Sequence, residues 1–379
     1  MNLIEFGTIS HIKKGKKPLR QVDKPQEGYM PYVDIEAFET GNVKMYTDGE
    51  KCLPCKAGDI LIVCDGSRSG FVGKAIDGYV GSTLAIISAD GMSQEYLYYF
   101  LQGKYAWLNT KKKGTGTPHL DANILNQQKL VVPSLEEQKR VVARIEELFS
   151  ELDNGVETLK KTEQQLAVYR QAVLKEAFEN CKPLSSIRDM STLVTSGSRG
   201  WAQFYASEGA KFIRIGNLTR DSIDIDFSDT QYVNLPDKAE GLRSKLQPND
   251  VLVSITADLG SIGLVPNNIG EAYINQHIAV VRFKNASQGK FMAWYLRSDW
   301  GQKDLLKNKR GAGKLGLGLD DIRDSRVPVV SDEEAEAVLD IIESRLSVCD
   351  SIEETVDTAL QQAEAMRQSI LKKAFEGKL

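Results

Sequence analysis

No stretch of this 379-residue chain is apolar for long enough to cross a membrane. Its first residues, MNLIEFGTIS, carry no secretory pattern, so the chain is expected in the cytoplasm. Histidine is scarce: His11, His119 and His277 stand in unrelated contexts, which leaves no HExxH pair. The 5 cysteines are odd in number and scattered, against a disulfide framework. Cys52-x-x-Cys55, with Cys64 nearby, lacks the fourth ligand a tetrahedral zinc site wants, so no metal is expected. Phosphate-binding loops fail as well. Gly73-Lys74 is followed by Ala75 and has Arg68 where the first glycine belongs, and Gly313-Lys314 has Asn308 there. No nucleophile elbow occurs, nor the Asn-Pro-Pro-aromatic tetrad of an amino-methyltransferase. The chain therefore reads as non-catalytic and without a cofactor.

What is present is a long helix, twice. Residues 134–180 place Val142, Ile145, Phe149, Leu152, Val156, Leu159, Leu166, Val173 and Ala177 at alternating three- and four-residue steps, one seam of a supercoiled helix. Glu163 and Arg170 interrupt it. Ser134 and Glu137 form a capping box at the start, and Asn180 with Pro183 marks the stop. Shifted by 197 positions the segment recurs. Ser331 to Glu334 stand for Ser134 to Glu137, Arg367-Gln368 for Arg170-Gln171, and Ala374-Phe375-Glu376 for Ala177-Phe178-Glu179. A constant offset over both caps identifies a tandem duplication.

The regions before each helix repeat too. Strand-like runs at Tyr32 to Ile35, Ile60 to Val63 and Leu84 to Ile87 precede a helical stretch, Gln94 to Leu108, and a further run, Lys129 to Val132. In the second half Phe212 to Ile215, Asn249 to Val253 and His277 to Val281 answer them, and Gly260-x-x-Gly263 answers Gly70-x-x-Gly73. Four segments follow: mixed α/β regions at 1–133 and 181–330, and helices at 134–180 and 331–379. The net charge of −4 hides a partition. Residues 1–133 carry 16 Lys+Arg against 14 Asp+Glu and residues 180–330 carry 20 against 16, whereas the two helices carry 7 against 10 and 5 against 12. Basic domains on acidic helices suit a polyanionic partner at the domains.

Candidate contacts with such a partner lie in basic, glycine-containing loops. Lys13, Lys14, Lys16 and Lys17 flank Gly15, while Lys111, Lys112 and Lys113 precede Thr115, Thr117 and His119. Mobile ammonium groups beside closely approaching backbone suit phosphates. Ser67 and Arg68, in a loop after a strand, are placed to reach base edges. In the second half the corresponding candidates are Ser198, Arg199, Trp201, Lys309, Arg310 and Lys314.

The two helix openings, Pro133-Ser134-Leu135-Glu136-Glu137-Gln138 and Val330-Ser331-Asp332-Glu333-Glu334, and the closing run Arg170 through Glu179 with its copy, resemble the DNA-specificity (S) subunits of type I restriction–modification systems. The second copy departs at Ala335, where the first has Gln138. The resemblance implies two target recognition domains joined to spacer helices that dock methyltransferase (M) subunits, expected to be two, and restriction (R) subunits through them. Arg170, Gln171, Phe178, Arg367, Gln368 and Phe375 are then the candidate partner contacts. The expected fold is mixed α/β, two recognition domains separated by an antiparallel two-helix coiled coil with pseudo-twofold symmetry. The expected function is reading of double-stranded DNA at a bipartite, non-palindromic target, with a gap that changes if both helices gain a heptad. A coiled-coil interaction scaffold without nucleic-acid binding and a stand-alone DNA-modifying enzyme remain the other readings of the residues.

Overall fold

Ile60–Val63, four branched aliphatic residues all buried, form the strand around which the first α/β domain is laid in this computed structural model. The structure describes residues 3–111, 113, 118–235, 243–307, 309 and 316–379. Antiparallel pairing gives the sheet order Ser10–Lys14, Leu84–Ala89, Ile60–Val63, Val72–Lys74. A second sheet runs Tyr46–Thr47, Met30–Val33, Gly78–Val80, Pro54–Cys55, with Met30–Val33 and Gly78–Val80 parallel. Helix Gln94–Thr110 follows, its start capped by Ser93, whose Oγ accepts the Tyr96 N–H at 3.2 Å. Ile4–Glu5 pairs with Lys129–Leu130, so the domain's entry and exit lie side by side.

The second domain repeats this plan. Its first sheet has the order Ser191–Ser196, Ile278–Phe283, Val251–Ser254, Ile262–Leu264, and its ends meet in the pairing of Leu184–Ser186 with Arg326–Pro328. A second sheet again joins one parallel pair, Ala210–Ile213 with Ala272–Ile274. The paired glycines read from sequence have a physical reason. Gly70 and Gly260 both sit at positive φ, 91° and 81°, where L side chains are strained. A Cβ at Gly73 would stand 2.7 Å from the Phe38 ring, and one at Gly263 would stand 2.5 Å from Leu218.

The two long helices are Leu135–Phe178 and Asp332–Phe375, 44 residues each. Ser134 Oγ accepts the Glu137 N–H at 3.3 Å. At the second start the box is complete: Ser331 Oγ accepts from Glu334 N at 3.2 Å, and Glu334 Oε2 from Ser331 N at 2.8 Å. The chain divides into two compact units, residues 1–159 with 358–379, and residues 160–357. Each unit holds one α/β domain, one end of the first helix and the opposite end of the second.

Within the first unit Ile145 and Phe149 pack on Leu371 and Ala374, and Arg367 pairs with Asp153. The Arg367 guanidinium lies 4.3 Å from the Phe149 ring centroid, and Phe375 meets Tyr96 and Phe100 edge-on at 5.1 and 5.5 Å. Within the second, Phe178 meets Phe291 and Tyr295, each at 5.4 Å. Arg170 bonds Asp350 and Glu353 at 2.7 Å, and Arg345 bonds Glu176 at 2.6 Å. Partner numbers fall on one helix as they rise on the other, so in both units the helices pair antiparallel. Arg170 interrupts the apolar seam because it reaches two carboxylates across it. Of the candidate partner contacts, Arg170, Phe178, Arg367 and Phe375 also make contacts inside the chain, while Gln171 is exposed and Gln368 half-buried.

A buried amide ties each helix start to its domain, from opposite sides. Gln138, fully buried, accepts the Ser93 N–H at 2.8 Å and donates to the Gly91 and Pro133 carbonyls at 2.6 and 3.0 Å. In the second unit the helix carries Ala335 there, and the amide comes from the domain. Gln288 donates to the Val330 carbonyl and Asp332 Oδ1 at 3.0 and 2.8 Å. Gln288 stands 197 positions after Gly91 and Val330 the same distance after Pro133.

Candidate nucleic-acid interface

In the first domain the scattered loops converge on Asp65, just past strand Ile60–Val63. Its Oδ2 accepts from Lys14 Nζ at 2.7 Å and its Oδ1 meets His119 Nδ1 at 2.7 Å. The backbones of Asp65 and Lys113 both bridge to that of His119. Asn109, near the end of helix Gln94–Thr110, donates to the Ser67 and Ser69 carbonyls at 2.9 and 3.1 Å, setting the 66–69 loop beside Lys111. Ser67, Arg68, Lys111, Lys113 and His119 are exposed, and so are Lys13, Lys14, Lys16 and Lys17. Several of these charges are already engaged: Lys14 with Asp65, Lys113 with Asp121 at 2.7 Å, and Arg68 with Glu39 at 2.5 Å. Lys13, Lys16 and Lys17 carry no ion pair among the described residues. Lys112, Thr115, Thr117, Arg310 and Lys314 lie outside the described residues.

Burial works against the Asp65 carboxylate, but its hydrogen bonds to Lys14 and His119, with their charges, outweigh that and hold it below the usual carboxylate range. A carboxylate depressed in the folded state stabilises above its unfolded pKa and loses the contribution as pH falls through the folded value. Melting of the Asp65→Asn chain is therefore expected to depend less on pH than that of the parent below about pH 4. Parallel melting curves would remove Asp65 from the staple.

The second domain builds the same place from other residues. Ser196 faces Ala279 as Lys14 faces Ala85, and Thr256 bridges Gly316 as Asp65 bridges His119. Gly197, like Gly15, sits where a Cβ would strike backbone, 1.9 Å from the Ile274 carbonyl against 2.2 Å from that of Gly81. Ser198 and Arg199 then stand for Lys16 and Lys17. Around them opens a cleft of about 490 Å³ lined by Ser198, Arg199, Arg243, Thr256, Gln276 and His277. Thr256 Oγ1 meets His277 Nδ1 at 2.7 Å, and Gln276 Nε2 meets His277 Nε2 at 2.7 Å. An amide nitrogen only donates, so His277 Nε2 accepts and its Nδ1 carries the proton given to Thr256. This run of hydrogen bonds leaves Gln276 Oε1 and one N–H for a ligand. Ser198 Oγ is buried at the cleft wall without a hydrogen-bond partner among the described residues.

Trp201 is a correction. Expected as an outward contact, it is 5% exposed, 4.6 Å from the Phe212 ring, with its indole N–H on the Ser198 carbonyl at 2.8 Å. It fixes the loop that carries Ser198 and Arg199. Lys309 is exposed. Gln276, Arg243 and Thr256 were missed by sequence reasoning. The signal for Thr256 was its place five positions after Val251, as Asp65 stands five after Ile60. No group of three His, Cys, Asp or Glu is placed to hold a metal among the described residues, and burial, with Asp59 and Asp77 adding, pushes the Cys55 thiol up to about 11. No helix among the described residues is long and apolar enough to cross a membrane.

The family described as type I restriction modification DNA specificity domain matches residues 1–166 and 185–362. The MjaVIII type I restriction enzyme specificity subunit of Methanocaldococcus jannaschii is 24% identical over 411 residues, covering 100% of this chain and 92% of that protein. The EcoBI specificity subunit of Escherichia coli is 24% identical over 412, covering 99% and 85%. Among solved structures, a chain from work on assembly and conformational transition of the type I R-M system aligns with TM-score 0.75 at 18% identity, covering 100% of this chain and 98% of that one. The HsdS subunit of Thermoanaerobacter tengcongensis aligns at 0.53 with 17% identity, covering 100% and 97%. With two matched copies spanning most of its length, a shared fold and relatives aligned from end to end, the chain belongs to the type I restriction–modification DNA specificity family.

Proposed function

We propose that this chain is the non-catalytic DNA-reading subunit of a type I restriction–modification complex. Each recognition domain reads one half of a bipartite, non-palindromic duplex target, and the helices carry two modification subunits, through which restriction subunits act. One observation carries the two-part, unsymmetrical target: equivalent positions hold unlike chemistry. Asp65 and His119 answer to Thr256 and Gly316, and Lys16 and Lys17 to Ser198 and Arg199. Two copies of one scaffold with different loop residues read different bases.

Comparing DNA methylation in cells with and without the gene tests this. A two-part motif that disappears with the gene is expected; one continuous motif, or none, would sink the reading. Replacing Lys13, Lys16 and Lys17 by Ala should weaken duplex binding and flatten its salt dependence, by roughly 0.9 log units of slope per phosphate that the loop no longer neutralises. An unchanged slope would take this loop off the DNA.

A further inference from the structure

The two units also differ where the domain's helix meets the last turns of a long helix. The aromatic contacts leading up to that place agree. Tyr96 and Phe100 clasp Phe375 as Phe291 and Tyr295 clasp Phe178. Beyond it, helix Gln94–Thr110 runs on unbroken, whereas the second domain breaks at Ser298, which caps a new helix, Asp299–Leu305. The break lays Trp300 on the end of the long helix, its indole Nε1 donating to the Lys175 carbonyl at 3.4 Å. Lys372 stands 197 positions after Lys175, and among the described residues no indole N–H reaches its carbonyl; Trp107 lies to the side, in the wall of the space left there. Instead the first unit has a cleft of about 500 Å³, lined among others by Gly103, Lys104, Trp107, Leu371, Lys372 and Phe375.

We propose that this cleft docks an aromatic side chain of a partner protein, flanked in that partner by carboxylates. The occupant's ring chemistry is shown by the second unit, which fills the matching place with its own indole. Apolar walls from Leu371, Phe375 and Trp107 suit a ring, and the missing side chain at Gly103 leaves the floor open. The carboxylates follow from charge. Lys104 and Lys372 carry no ion pair among the described residues, while the one acidic wall residue, Glu376, is held by Lys378 at 2.7 Å. The second unit has filled its equivalent site, so the partner is anchored in this way at the first unit alone. This names an anchor for the partner reading given above, and its test contains neither DNA nor modification subunit.

The probes are the capped tripeptides Asp-Trp-Glu, Lys-Trp-Lys and Asp-Leu-Glu, titrated into the full chain and followed at the Leu371 methyls by NMR. Asp-Trp-Glu should bind one equivalent, about fivefold tighter than Lys-Trp-Lys, the effect of two exposed ion pairs. Asp-Leu-Glu should not saturate. Gly103→Phe should abolish binding, and Trp300→Ala should open a second site and raise the stoichiometry to two equivalents. The proposal is overturned by no saturable binding to the parent chain, by no preference for the acidic peptide, or by free indole binding as tightly as Asp-Trp-Glu, which would mark a small-molecule cavity. Unchanged binding in a normally melting Gly103→Phe chain also overturns it. If that variant misfolds, Trp300→Ala decides alone, and a stoichiometry of one sinks the idea.

Discussion

Replacing Gln276 by Ala is expected to erase base preference at one position of the second half-target and to leave the first half-target unchanged. The hydrogen-bond chain from Thr256 through His277 consumes one amide N–H of Gln276 and fixes its plane. An amide so held offers one donor and one acceptor side by side, the pattern that matches the N6 and N7 edge of adenine. Discrimination of about 1–3 kcal/mol against other bases rests on such a pair. Gln276→Glu removes the donor and should shift preference toward cytosine, whose N4 donates. Site selection from a randomised duplex pool measures both. If Gln276→Ala weakens binding equally to every sequence, the residue positions the DNA and reads nothing.

Gln138→Ala should cost more stability than an ordinary helix substitution. It strips partners from the Ser93 N–H and from the Gly91 and Pro133 carbonyls at the one place where the first helix leaves its domain. Gly91 is exposed and Ser93 and Pro133 are half-buried, so water takes up part of what is lost, and a cost of about 1–3 kcal/mol is expected. Ala335→Gln should bring no matching gain in the second unit, because Gln288 already occupies the Val330 carbonyl. Denaturant unfolding with amide exchange at Ser93 checks this. A loss under about 1 kcal/mol would show that water replaces the amide.

The repeat, the helix caps and the central strands were legible because each is written locally: a constant offset, a Ser with Glu three residues on, a run of branched aliphatics. The family match bears out the duplicated mixed α/β plan. Arg170 was read as a break in the seam, since its carboxylates, Asp350 and Glu353, lie far along the sequence. The two-residue strands Tyr46–Thr47 and Pro54–Cys55 are too short to show a period. Trp201 misled because an aromatic beside Arg199 looks the same in sequence whether it stacks on a base or caps a core. Gln276 and Thr256 went unseen since their chemistry exists only once His277 orients them.

The clasp of Phe375 by Tyr96 and Phe100 bears on how the protein is made. Domains generally fold as they leave the ribosome, amino-terminal ones first. Here the domain made before the other exposes two aromatic rings until the second long helix has been synthesised and has come back to cover them. Of the two domains, the one that emerges earlier is finished later, and a nascent chain stalled between them presents that unfilled aromatic face to the translation machinery and its chaperones.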